Sequence, residues 1–142
     1  MRRTRASLVL AVLAAAGLLY DAYVHLDLAS NYDSVGDTIT QGGLFRLEAA
    51  IAIAAALAVL LWDNRVVWLT AGMVGLGGLA AVVLYRYVDV GAIGPVPNMY
   101  EPVWYDEKTH SALAEAGVGV VWFVREALRY TRTRVSAGSA GG

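Results

Sequence analysis

The chain has 142 residues, 58% of them hydrophobic, and its 11 Lys and Arg nearly cancel 12 Asp and Glu to leave a formal charge of −1. It has no cysteine, which excludes thiol-disulfide chemistry, iron-sulfur clusters and thiolate-bound metals. The basic residues flank apolar runs instead of forming a patch with interleaved aromatics, which argues against nucleic acid as a partner.

Four apolar runs organise the sequence: residues 7–26, 44–62, 66–85 and 109–128. Each is about 20 residues long, enough to cross a ~30 Å hydrocarbon core at ~1.5 Å per residue. The expected fold is therefore all-α, a single polytopic membrane domain built as an antiparallel bundle of four transmembrane helices. The first run begins after Arg2, Arg3 and Arg5 with SLVLAVLAAAG, the layout of a secretory signal. Its apolar character continues through Leu18, Leu19 and Val24, so it reads as a full span with a basic anchor.

Residues 27–43 form a first polar connection, whose NYDSVGDT lacks the ligand spacing of an EF-hand. The second and third spans are free of charge over AAIAIAAALAVLLW and VVWLTAGMVGLGGLAAVVLY, and the short DNR turn between them makes them antiparallel neighbours. Pairs of small residues, Ala71 with Gly75, Gly77 with Ala81 and Ala112 with Ala116, fit the spacing that lets helices approach closely in lipid. Trp62, Trp68, Trp122 and Tyr130 suit one membrane interface; Tyr85, Tyr87, Tyr100, Trp104 and Tyr105 suit the other.

Residues 86–108 form the second long connection. Pro95, Pro97 and Pro102 restrict its backbone. With Tyr100, Glu101, Trp104 and Tyr105 it is expected to fold back as a rigid cap, although resting on the headgroups is the plainer reading. The fourth run is interrupted by His110 and Glu115, so it is the span that could instead be an interfacial helix. The tail, residues 133–142, is expected to be disordered.

Eight arginines (Arg2, Arg3, Arg5, Arg65, Arg125, Arg129, Arg132 and Arg134) fall towards one side, and only Arg46, Arg86 and Lys108 towards the other. By the positive-inside rule both termini are cytoplasmic and the protein is a multi-pass protein of the cytoplasmic membrane. Asp21, Asp27, Asp33, Asp37, Glu48, Asp89, Glu101, Asp106, Glu107 and Glu115 then gather in the outer half with both histidines, leaving Asp63 and Glu126 inside.

Ionisable groups within spans are costly and are usually paired, solvated or functional. Asp21 and His25 share a helix face at i, i+4; Glu107 and His110 do so at i, i+3, with Glu115 two turns beyond. Glu115 is the deepest acid, and Arg46 is the nearest cation in depth, although Arg46 could equally pair with Asp21 or Glu48. A structural ion pair is the plainer reading of these residues, and proton or cation handling the functional one. His25 and His110, with Asp21, Asp27 and Glu107, offer mixed nitrogen and oxygen ligands for a metal, or axial ligands for a haem. The plainer reading leaves both histidines interfacial, with no cofactor.

The segments LYDAYVHLDLASNYD, GGLFRLEAAIA and LYRYVDVGAIGPVPNMYEPVWYDEKTHSALAEA resemble a group of small, uncharacterised four-span membrane proteins of actinobacteria, which are similar to DoxX-like bundles in size and span pattern. The resemblance covers most of the chain and implies architecture without an activity. The leading functional expectation is a small accessory or interaction subunit with an outward acidic and histidine vestibule, docking on a larger membrane complex or on further copies of itself. The alternative is a redox or transport protein that binds a metal, haem or quinone near His25 and His110. An enzyme acting alone is the weaker expectation, because no nucleophile-base pair or phosphate-cradling loop is present.

Overall fold

The computed structural model describes residues 3–139, with side chains through residue 134. It is all-helical: α1 (Arg5–Ala29), a single 3-10 turn (Ser30–Tyr32), α2 (Gln41–Leu61), α3 (Arg65–Tyr87) and α4 (Asp106–Ser139). Three helices start on side-chain caps. Thr4, Thr40 and Asn64 accept from the backbone N–H groups of Ser7, Gly43 and Val67 at 3.2, 3.0 and 3.0 Å, satisfying donors that the first turn leaves free.

The helices extend past the apolar runs, most of all in α4. The expected disordered tail is helical as far as Ser139, and its remaining residues, 140–142, lie outside the described part. The sequence REALRYTRTR continues good helix formers beyond the apolar stretch, so polarity did not end the helix. α1, α2 and α3 are long and apolar enough to cross a membrane. α4 carries Glu115, Arg125 and Glu126 within its apolar part and does not meet the same measure.

The helices close a ring in which α1 packs on α2 and α4, and α3 packs on α2 and α4. The inward surface is made of small side chains. Ala11, Ala14, Ala15, Leu18 and Ala22 on α1 meet Ala49, Ala52, Ala56 and Val59 on α2, each set repeating at helical spacing. Large apolar side chains point outwards: Leu57, Val66, Met73 and Leu113 are all more than half exposed. Small residues inside and large apolar ones outside suit helices packed in lipid, where close backbone approach replaces the hydrophobic effect.

The α3–α4 contact uses one of the expected small-residue pairs, Ala71 with Gly75, and extends it through Gly72 and Gly78. A methyl group added at Gly72 would meet the Trp122 ring at 2.6 Å, one at Gly75 would meet Val118 at 2.8 Å, and one at Gly78 would overlap the Glu115 carboxylate. Gly77, expected to pack with Ala81, has nothing within 4 Å of such a methyl. Only the Gly77 and Ala81 pair falls off this contact, because the bulky partners Trp122 and Val118 on α4 seat against Gly72 and Gly75.

The end of the ring at the Asp63 turn is closed by a polar cluster. Arg125 of α4, 5% exposed, bonds Asp63 at 2.9 Å and Glu126 at 2.6 Å. Its guanidinium lies 4.6 Å from the centre of the Trp68 ring, and Trp68 Nε1 donates to Asp63 at 3.0 Å. Ser7 of α1 donates to the other Asp63 oxygen. Burial works to raise the Asp63 pKa, but hydrogen bonds from Ser7 and Arg125, the guanidinium charge and the Trp68 N–H outweigh it and hold the group below the usual carboxylate range. Trp68, expected as an interface anchor, is fully buried and works here as a core residue.

Candidate functional site

The other end of the ring is covered by the two long connections. Gly36 has φ +103, a left-handed conformation suited to glycine, and Pro97 packs against it. Arg46 holds Asp33 through two bonds of 2.6 and 2.9 Å, and this contact sets the Asp33 carboxyl below its ordinary range. The second connection folds back as expected. Glu101 N–H donates to the Tyr85 carbonyl at 3.0 Å, and Ile93 and Val96 exchange two backbone bonds of 3.0 Å.

Glu101 is the hub of this cap. Tyr32 donates to its Oε1 at 2.7 Å and Tyr105 to its Oε2 at 3.2 Å, with the two phenol oxygens 3.0 Å apart. Burial first, and then this hydroxyl contact and the neighbouring carboxylate, push the Tyr105 phenol up, so it stays a neutral donor. Lys108, only 8% exposed, donates to the Glu101 and Val103 carbonyls at 2.8 and 3.3 Å and to Glu101 Oε2 at 3.3 Å. The cap is thus fastened to α4 by one buried lysine, which sequence reasoning had counted only as a basic flank.

Beneath the cap lies a cavity of about 340 Å³. Its walls are largely apolar, with Leu28, Leu44, Phe45, Ile51, Val82 and Met99 among them, and its polar groups include His25, Gln41, Glu48, Glu101, Tyr105, Lys108, Ser111 and Glu115. From Gln41 to Ile51 the α2 wall alone descends about 15 Å at the rise of an α-helix.

The deep polar groups converge. His25 Nδ1 lies 3.1 Å from the Asp21 carbonyl oxygen and 3.2 Å from Asp21 Oδ1, and the Phe45 ring stands edge-on at 5.1 Å, fixing the imidazole. Ser111 of α4 donates to Asp21. One ligand atom from each of Asp21, His25 and Glu115 lies within 4.8 Å of the other two. Asp21 is 2% and Glu115 1% exposed. Neither Glu115 carboxylate oxygen has a hydrogen-bond partner among the described residues, and neither does the buried Oε1 of Glu48.

The sequence named Asp21, His25 and Glu115 as candidates but did not group Glu115 with the other two, and it did not find the partner of Arg46. Arg46, the expected partner for Glu115, Glu48 or Asp21, is held by Asp33 on the cap side, because an exposed carboxylate near the helix start reaches it with less desolvation. His110 is exposed, 3.3 Å from the Tyr20 hydroxyl, and does not line the cavity, so only one of the two histidines is present there. Asp27 and Glu107 are exposed and outside the cavity. Of the expected cap residues, Glu101 and Tyr105 line the cavity and Pro97 is buried against the first connection, whereas Pro95, Tyr100 and Trp104 face outwards. Gln41, Lys108 and Gly78 are cavity residues that sequence reasoning missed; a glycine one helical step from the stripe was the only available signal.

No family model matches the chain, and no curated protein or solved structure matches it either.

Proposed function

We propose that this chain is a four-span protein of the cytoplasmic membrane, with both termini cytoplasmic, which admits a cation from the outer face into the capped cavity as part of transport or redox chemistry. The observation that carries this reading is Glu115, whose buried carboxylate has two oxygens without a partner among the described residues and lines a cavity shared with Glu48 and His25. An acid in that position needs a cation or a proton.

The fourth span is supported by the phase of α4. Its charges Glu115 and Arg125 are turned inwards at 1% and 5% exposure, while Leu113, Val120, Phe123 and Val124 lie on its exposed side. The excess of arginines at the Asp63 end supports the orientation. With one histidine at the cavity, the residues do not favour a haem held between His25 and His110. The likeness to small four-span actinobacterial proteins belongs to this same proposal and adds no activity.

The test is modification of full-length protein in lipid nanodiscs with dicyclohexylcarbodiimide, which attacks carboxyl groups in apolar surroundings. Labelling is expected at Glu115, and protection by at least one of Na⁺, K⁺, methylammonium, Mg²⁺, Mn²⁺ or Zn²⁺. Labelling that no cation in this panel reduces overturns the reading.

An accessory role keeps one observation in its favour, the exposed Ile93, Val103 and Trp104 on the cap. Co-purification of a stoichiometric partner that is lost on replacing Trp104 and Val103 by serine would support it; an unchanged partner, or none, would remove it.

A further inference from the structure

The cavity reading above leaves the cation unnamed, and the donor set narrows it. The deep cluster supplies one imidazole nitrogen and the carboxylates of Asp21 and Glu115, all within 4.8 Å of one another. A cation with ligand distances of ~2.0–2.5 Å accommodates donor separations of up to about 5 Å, so the three side chains are already near the arrangement that a single ion requires. Glu48, whose buried Oε1 has no partner among the described residues, lines the same cavity but lies outside this group of three.

The surroundings carry features of a built site. His25 is oriented by the Phe45 ring and by Asp21, and Asp21 is itself bonded by Ser111 from the neighbouring helix, an outer layer of the kind that fixes metal ligands. The Glu115 carboxylate rests where a side chain at position 78 would otherwise stand, so Gly78 makes the room. Asp21 and Glu115, both almost fully buried, have no arginine or lysine bonded to them among the described residues. One imidazole with carboxylates and no thiol suits the divalent first-row cations better than calcium or magnesium, which prefer oxygen alone, or than copper(I), which prefers sulfur.

We propose that Asp21, His25 and Glu115 form a binding site for one divalent first-row transition-metal ion beneath the cap. The proposal rests on the cavity acting as a cation site, and it adds the ion class and its ligands. Glu115→Gln keeps the size of the side chain and removes a buried carboxylate without a partner, so it should fold at least as well as the parent. His25→Gln is the second variant, and Asp27→Asn and Glu107→Gln, exposed and outside the cavity, are the controls.

Equilibrium dialysis of full-length protein in nanodiscs against Zn²⁺ and Mn²⁺, with metal counted by mass spectrometry, gives the answer. The expected result is one ion per chain, weakened at least ~10-fold in Glu115→Gln and in His25→Gln and unchanged in both controls. Equal affinity in parent and cavity variants, less than half an ion per chain, or loss in the controls as well overturns the assignment. Helical content by circular dichroism accompanies each variant; if both cavity variants unfold, the same dialysis on Asp21→Asn decides, with unchanged affinity counting against the site. Should carbodiimide labelling be blocked by a monovalent or organic cation while Zn²⁺ and Mn²⁺ fail to bind, the cavity reading stands and the metal assignment falls. If no cation protects, both fall.

Discussion

The two ends of the helix ring solve the same problem in opposite ways. At the Asp63 end, Arg125 sits between two carboxylates, stacks on Trp68 and leaves Asp63 with Ser7 and indole donors as well. At the capped end Asp21, Glu48 and Glu115 crowd one imidazole, and Glu115 has nothing bonded to it among the described residues. A completed network stabilises and fixes position, whereas an incomplete one next to open volume costs stability that only a bound species restores. The difference separates a fastening from a candidate site.

The largest effect should come from breaking the fastening. Arg125→Met strands Asp63 and Glu126 and should destabilise the protein by roughly 2–3 kcal/mol, read as a fall in thermal midpoint in detergent. Lys108→Met should cost about 1–2 kcal/mol and act locally, raising amide exchange over residues 96–105 while leaving α2 and α3 protected. At the cavity the sign should reverse. Glu115→Gln in metal-free protein is expected to be neutral or stabilising by up to ~1 kcal/mol, and a loss as large as that of Arg125→Met would erase the distinction drawn between the ends.

Gly78→Ala should leave thermal stability nearly unchanged, since alanine favours the helix while its methyl displaces only the flexible end of Glu115. Its effect should show in binding, as weaker cation protection of Glu115 from carbodiimide. The smallest effect is in pH. Because the folded-state pKa of Asp63 lies below its ordinary value of 3.8, its stabilisation is complete above that value and is lost as pH falls through the lower folded one. Asp63→Asn should flatten that acidic limb of the thermal midpoint against pH and lower the midpoint at neutral pH.

Length and apolarity were enough to find the helices, and the i, i+4 spacing was enough to put Asp21 beside His25. Phase and partner choice were not legible in the same way. Whether Arg46 turns towards Glu115 or towards Asp33 depends on how the first connection folds, which no local pattern in α2 records. Lys108 and Trp68 looked like flanking and interface residues because their types suit a membrane boundary. Their burial arises from partners far along the chain or in a loop, Glu101 for the one and the Ser7, Asp63 and Arg125 group for the other. His110 had the right depth but the wrong helix face, its contact being Tyr20 on the exposed side of α1.

One consequence follows from α4 being a single unbroken helix that carries both Glu115 and Arg125. Those side chains stand about 15 Å apart along a stiff rod, so the helix cannot slide to adjust its grip on one end without straining the bonds at the other. Under the proposed cation-binding function, loading and emptying of the cavity would proceed by side-chain rotation and by movement of the cap, with the backbone of α4 as the fixed reference. The arginine group, far from the cavity, thereby sets the depth at which the acid is presented.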